Sequence, residues 1–95
     1  MAAYMVANYL VTNPEGFAEY APAAQQTLAA VGAEVVAVDL NSEVIEGDAH
    51  PCTVILKFDS KEAMKAWYNS EEYQAVIGMR TDNSEGSMVV IDGPA

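Results

Sequence analysis

Apolar positions along the chain follow two rhythms, and the change from one to the other marks out its elements. Residues 4–11 form an apolar run broken only by Asn8. The run is short, rich in β-branched and aromatic side chains and followed by turn residues, which predicts a buried strand. From "TNPEGF" the spacing becomes helical: Phe17, Tyr20, Ala24, Leu28 and Val31 recur every three or four positions and should share one core-facing stripe. Asn13 is placed to cap this helix, Pro14 suits its first turn and Glu15 complements the positive end of its dipole. Pro22 interrupts the pattern, because without an N–H it cannot bond to the carbonyl of Ala18; a kink or division is expected near Tyr20.

Gly32 is read as a left-handed helix cap, and "AEVVAVDL" as the β-branched strand that follows it. "NSEVIEGD" has turn residues at both ends, which predicts a short strand or hairpin arm over residues 43–46. Residues 53–58 alternate Val54, Leu56 and Phe58 with Thr53, Ile55 and Lys57, as in a central strand with one wetter face. Asp59-Ser60 then supplies the cap for a helix whose stripe is Ala63, Met64, Trp67 and Tyr68. Asn69-Ser70 breaks that helix, and Ser70 starts another carrying Tyr73, Val76, Ile77 and Arg80. "RTDNSEG" reads as a loop and "SMVVIDG" as the last strand.

The resulting order is β-α-β-β-α-β with an ornament in each half, an α+β fold of four antiparallel strands with helices on one face. The other face is left bare. If that face is apolar it needs a partner, so a homodimer joined through the open sheet face is expected, with a cavity at the junction or within each half. Residues 1–95 form a single domain with no internal repeats or linker. A domain of this size buries only about 60 to 65% of its unfolded surface, so association would add useful stability.

Composition narrows the partners. Fourteen acidic against four basic residues give a net charge of −10, which repels phosphate backbones and anionic headgroups. Lys57, Lys61, Lys65 and Arg80 are too few for the usual set of phosphate contacts, so no nucleic-acid partner is expected. No apolar run is long enough to span a membrane, and the opening "MAAYMVANYLV" lacks a basic leader. The single Cys52 cannot close an internal disulfide. The expected location is therefore cytoplasmic.

Glu46-Gly47, Phe58, Ser60, Glu62, Ala63, Trp67, Tyr68, Ser70, Glu72, Tyr73 and Gln74 stand in order and follow a recognisable pattern: an "EG" turn, a strand ending in Phe, then S-x-E-x-A-x-x-W-Y-x-S-x-E-Y-Q. With Pro14, Glu15, Tyr20 and Pro22 also matching, the chain resembles the "domain of unknown function thirteen-thirty" family of the dimeric α+β barrel group over nearly its whole length. The resemblance implies a ferredoxin-like dimer and no settled substrate. The wider group includes cofactor-free monooxygenases, isomerases, haem enzymes and non-catalytic members. The chain departs from the pattern at Gly32-Ala33-Glu34, where relatives usually read Gly-Gly-Arg, and at Cys52, where an Arg commonly opens the central strand. An anionic ligand held by those arginines in relatives would lack them here.

Candidate chemistry is sparse. His50 is the only imidazole, the side chain suited to proton transfer near neutral pH, and Asp48 is close enough in sequence to orient it; the alternative is a solvent-exposed loop histidine. One histidine with Cys52 makes no metal site without further ligands, so no metal or other cofactor is expected. Cys52 at the start of a buried strand reads as a packing residue rather than a nucleophile. Arg80 either closes its helix in an ion pair with Asp82, Glu85 or a strand-end carboxylate, or faces a cavity and anchors a ligand oxygen. Tyr4, Tyr9, Tyr20, Trp67, Tyr68 and Tyr73 could then line the cavity, with Tyr20, Trp67 and Tyr73 as its ligand-binding wall, or else simply be core. The expected function is a small homodimer that binds or transforms a small, partly apolar metabolite between sheet and helices, with His50 as the proton-transfer group. The alternative is a non-catalytic ligand sensor, carrier or structural dimer module.

Overall fold

The computed structural model describes residues 2–94; Met1 and Ala95, the ends of the expected domain, lie outside the described residues. The elements run β1 (Ala3–Val11), α1 (Pro14–Phe17), α2 (Tyr20–Ala30), β2 (Glu34–Asp39), β3 (Cys52–Phe58), α3 (Lys61–Tyr68), α4 (Glu71–Gln74), α5 (Gly78–Thr81) and β4 (Ser84–Asp92). The strands form one antiparallel sheet in the order β2-β3-β1-β4. This is the ferredoxin-like arrangement: the two central strands are the most apolar, and the two edge strands are the more exposed.

Period-two alternation divides the sheet into two faces. Ala3, Met5, Ala7 and Tyr9 of β1 stand opposite Phe58, Leu56, Val54 and Cys52 of β3. They pack against Ala24 and Leu28 of α2, Met64 and Trp67 of α3, and Tyr73 of α4. The opposite face carries Tyr4, Val6 and Asn8, paired with Lys57, Ile55 and Thr53 on one side and with Ile91, Val89 and Ser87 on the other. None of the described residues covers it, so Val89 and Ile91 keep 53% and 49% of their surface. The molecule is a slab of 33 × 33 × 16 Å, only one sheet and one layer of helices thick.

The helix breaks follow local chemistry. Pro22 divides the first helix as expected, and the chain turns at Ala18-Glu19 before α2 begins at Tyr20. Gly32 adopts φ +70° past the end of α2, where the N–H of Ala33 reaches back to the carbonyl of Leu28. Ser60 accepts from the N–H of Ala63, and Ser70 accepts from the N–H of Tyr73.

Four expectations need correction. Residues 43–46 form no strand; they lie in the loop between β2 and β3, whose ends are tied by the N–H of Ser42 donating to the carbonyl of Pro51 at 2.8 Å. Asn13 makes no side-chain cap: its amide donates instead to Asn83 Oδ1 at 3.1 Å, binding the start of α1 to the chain before β4. Val31 is 53% exposed and lies outside the core stripe, because α2 has already ended. The segment from Arg80 to Gly86 is not an open loop, since α5 runs to Thr81 and β4 begins at Ser84.

Gly86 stands opposite Tyr9 in the ladder, and a Cβ there would collide with the carbonyl oxygen of Asn8 and the backbone of Tyr9. Because the obstacle is backbone, no side-chain rotation relieves it. Gly86→Ala is therefore expected to lower the unfolding free energy by about 1–3 kcal/mol, read as a fall in the urea midpoint with an unchanged slope.

Candidate functional site

Between α2 and the covered face of the sheet lies a cavity of about 310 Å³. This volume is at the lower end of the roughly 300–1,000 Å³ typical of small-molecule sites. Its floor is Met5, Ala7, Val54 and Leu56 of the central strands; Ala24 and Leu28 of α2 form one wall, and Val35, Val38 and Leu40 flank the side toward the β2 edge. The space exists because β1 places an alanine, Ala7, in its floor while α2 contributes Ala24, so large side chains on the two layers do not meet there.

The polar end is made by residues far apart in sequence. Tyr20 opens α2, and its hydroxyl lies 2.6 Å from that of Tyr73 in α4. Arg80 in α5 donates from Nε to the Tyr73 hydroxyl at 3.3 Å. The ring of Trp67 sits on that of Tyr73 with centroids 4.0 Å apart, while its indole N–H donates to Thr27 Oγ1 of α2 at 2.9 Å. Phe17 continues the cluster, 5.3 Å from Tyr20 and 5.6 Å from Tyr9 between ring centroids. Each such aromatic pair adds about 0.5–1.5 kcal/mol beyond its buried area. Tyr20, Trp67 and Arg80 line the cavity, and Tyr73 is fully buried behind them.

The four expected ligand-binding residues are thus brought together, and the expected carboxylate partner of Arg80 is not. Among the described residues the only ion pair within 4.0 Å joins Lys61 to Asp92, so neither Asp82 nor Glu85 pairs with the guanidinium. Burial alone would lower the Arg80 pKa, but the Tyr73 and Tyr20 phenols outweigh it and the net shift is upward. Burial foremost, then the bond to Tyr73, holds the Tyr20 phenol far above the usual tyrosine range. Burial likewise raises Tyr9, helped by Cys52 and opposed by Arg80. At neutral pH the polar end therefore combines the Arg80 cation with a Tyr20 phenol that keeps its proton.

His50 does not line this cavity. Its backbone is clamped instead by Asn8, whose amide accepts from the His50 N–H at 2.8 Å and donates to the His50 carbonyl at 2.9 Å. Asn8 belongs to the uncovered face, and it also donates to Thr53 Oγ1 at 3.0 Å. Cys52 is buried at the start of β3, its thiol 4.0 Å from the carbonyl of Leu40. No cluster of three or more His, Cys, Asp or Glu residues suited to a metal ion occurs among the described residues. Of the other aromatics expected to line a cavity, Tyr9 does so, whereas Tyr68 is not among the lining residues and Tyr4 stands on the uncovered face of the sheet, because alternation along β1 turns it away from the helices. Sequence reasoning missed Phe17 and Thr27 as site residues. Phe17 was legible as an aromatic on an apolar helix face, whereas the contact between Thr27 and Trp67 spans 40 positions and left no local mark.

The fold and the site define a ferredoxin-like α+β protein with an apolar cavity under its helices and a guanidinium–phenol cluster at one end. The chain belongs to the family described as Domain of unknown function (DUF1330), which it matches over residues 2–94. No curated protein matches it. Among solved structures it is similar to a protein of unknown function from Rhodopseudomonas palustris, at 14% identity and a TM-score of 0.73, covering 98% of this chain and 84% of that one. It is also similar to SnoaB, a cofactor-independent oxygenase from Streptomyces nogalater, at 12% identity and a TM-score of 0.71, covering 99% and 94%. A dimeric ferredoxin-like protein of unknown function from Thermobifida fusca matches at 13% identity and a TM-score of 0.67, covering 96% and 90%. At such identities these likenesses establish the fold alone.

The raised Tyr20 pKa has a consequence for stability. Below the ordinary tyrosine value of 10.0 the phenol is protonated in folded and unfolded chains alike, and its contribution is complete. Above that value the unfolded chain releases the proton while the folded chain retains it, so stability falls as pH rises. Tyr20→Phe is expected to give a shallower decline of the urea midpoint from pH 10.0 upward than the parent protein.

Proposed function

We propose that the protein is a small-molecule-binding homodimer, with one apolar cavity in each protomer that accepts a small, partly apolar metabolite without a bound metal. The observation that carries this reading is Arg80: a half-buried guanidinium in an apolar cavity, with no carboxylate within ion-pair distance among the described residues. Desolvating a cation without an ionic partner weakens a fold. A ligand that interacts with the cation would give the arrangement a purpose.

Binding is favoured over catalysis because, among the described residues, no Asp, Glu, His, Lys or Cys side chain lines the cavity. No general base or nucleophile of ordinary strength therefore faces a bound molecule. A transforming role is the second reading, and the cofactor-independent oxygenase with a similar fold is what favours it. A proton-transfer role for His50 would require a substrate on the uncovered face of the sheet, the side on which Asn8 holds its loop.

Trp67 is the only tryptophan and lines the cavity, so its fluorescence reports on occupancy. In a screen of small phenols, carboxylates, lactones and flavins, at least one class should change that emission. At 100 times its dissociation constant it should also stabilise the fold by about 2.7 kcal/mol. Ala21→Phe, which fills the mouth from the exposed side of α2, should abolish both effects. A screen in which no compound alters emission or melting would overturn the reading.

The dimer in this proposal is joined through the uncovered face, where Tyr4, Val6, Ile55, Val89 and Ile91 form a continuous apolar centre in the ladder. The Thermobifida fusca protein of similar fold is described as dimeric. Sedimentation should show a dimer at micromolar concentration. Val89→Lys, which puts a charge at the middle of that face, should give a folded monomer.

A further inference from the structure

The polar end of the cavity consists of hydrogen-bond donors, and their direction follows from what each group can do. A guanidinium has no acceptor, so the 3.3 Å contact between Arg80 Nε and the Tyr73 hydroxyl is donated by Arg80. Tyr73 is fully buried, and its hydroxyl has one other partner among the described residues, the Tyr20 hydroxyl at 2.6 Å. A buried hydroxyl donates where it can. Either hydroxyl can donate in the 2.6 Å contact; with Tyr73 as the donor its buried proton has an acceptor, and the Tyr20 proton is left free to turn toward the cavity that its side chain lines.

The indole N–H of Trp67 is already committed to Thr27. What remains at this end is the Tyr20 proton and the unused N–H groups of Arg80. Other titratable groups are few: Tyr9 from β1 lines the cavity, Cys52 from β3 lies beside it, and no acid, imidazole or amine from α2, β2, β3 or β4 is among the lining residues. The rest of the lining is apolar except for Gln25 at the exposed surface of α2.

Resting on the small-molecule reading above, we infer that the ligand is a weak organic acid bound as its monoanion. Its single anionic group, a carboxylate or a phenolate-type oxygen, takes the donors of Arg80 and Tyr20, and its apolar body lies against Met5, Val54 and Leu56. One cation balances one negative charge. A second anionic group would have no partner in the cavity and would be repelled by a chain of net charge −10. The same donors favour the ionised form over the neutral acid, so a phenol that ionises near neutral pH should do so at lower pH when bound.

4-Nitrophenol, whose ionisation changes its colour, tests this directly when titrated against pH with and without the protein. 4-Nitroanisole serves as its uncharged counterpart, and benzoate against benzamide supplies the carboxylate arm. A charge-assisted bond predicts at least about tenfold tighter binding of an anion than of its neutral partner, and a bound pKa for 4-nitrophenol about one unit lower than in solution. Preference for nitrophenolate alone identifies a phenolate-type site, and preference for benzoate alone a carboxylate site; either supports the inference. Tyr20→Phe and Arg80→Gln should both reduce the preference. If Arg80→Gln fails to fold, the Tyr20→Phe ratio and the bound pKa still decide. Equal binding of anion and neutral partner, or a preference unmoved by Tyr20→Phe, would overturn the inference and leave the cavity a general apolar site. Absence of all binding would overturn both this inference and the small-molecule reading.

Discussion

The buried hydroxyl of Tyr73 is the contact on which the helical layer depends. It joins Tyr20 at the start of α2 to Arg80 in α5, while its ring rests on Trp67 of α3. Four helices thus meet at a single side chain that has no exposed surface. Its position comes from the serine cap one turn earlier, where Ser70 accepts the Tyr73 N–H and donates from its hydroxyl to the carbonyl of Trp67. The break after α3 therefore does more than end a helix. It turns the chain so that the next aromatic points back under the sheet.

The sheet and the helices have different relations to solvent, and the cavity lies where they fit incompletely. The central strands are covered by Leu28, Met64, Trp67 and Tyr73, which close the core over β3 and β1. Toward β2 the helical layer runs out, and Val35, Val38 and Leu40 stay exposed although they lie on the same side as the core. A small domain cannot bury everything that its strands present. Here the shortfall takes two forms, an apolar cavity under the helices and an uncovered apolar face beneath the sheet.

Much of the fold was legible in the sequence because its causes are local. Alternation in residues 53–58, the proline at position 22, the glycine at 32 and the serines at 60 and 70 act within one turn or one strand pair. The failures share a cause as well. Asn13 has a better partner in Asn83, 70 positions away, than in its own helix. Residues 43–46 have the composition of a strand arm but pair with no strand: they sit in a loop whose ends are tied by the Ser42 N–H to the Pro51 carbonyl, and the outer edge of β2 has no partner among the described residues.

The sequence by itself determined the order of the elements, their caps and breaks, the family, and the set of aromatics with one arginine that any site would have to use. Local propensity and periodicity suffice for that, because they operate over a few residues. Only the tertiary structure decided that Tyr20 and Tyr73, 53 positions apart, share a hydrogen bond, that Arg80 faces them with none of the fourteen acidic side chains as an ion-pair partner among the described residues, and that His50 lies outside the cavity. Which groups meet across the core is decided by how whole elements pack, and a guanidinium carries no local signal of which distant oxygen it will reach.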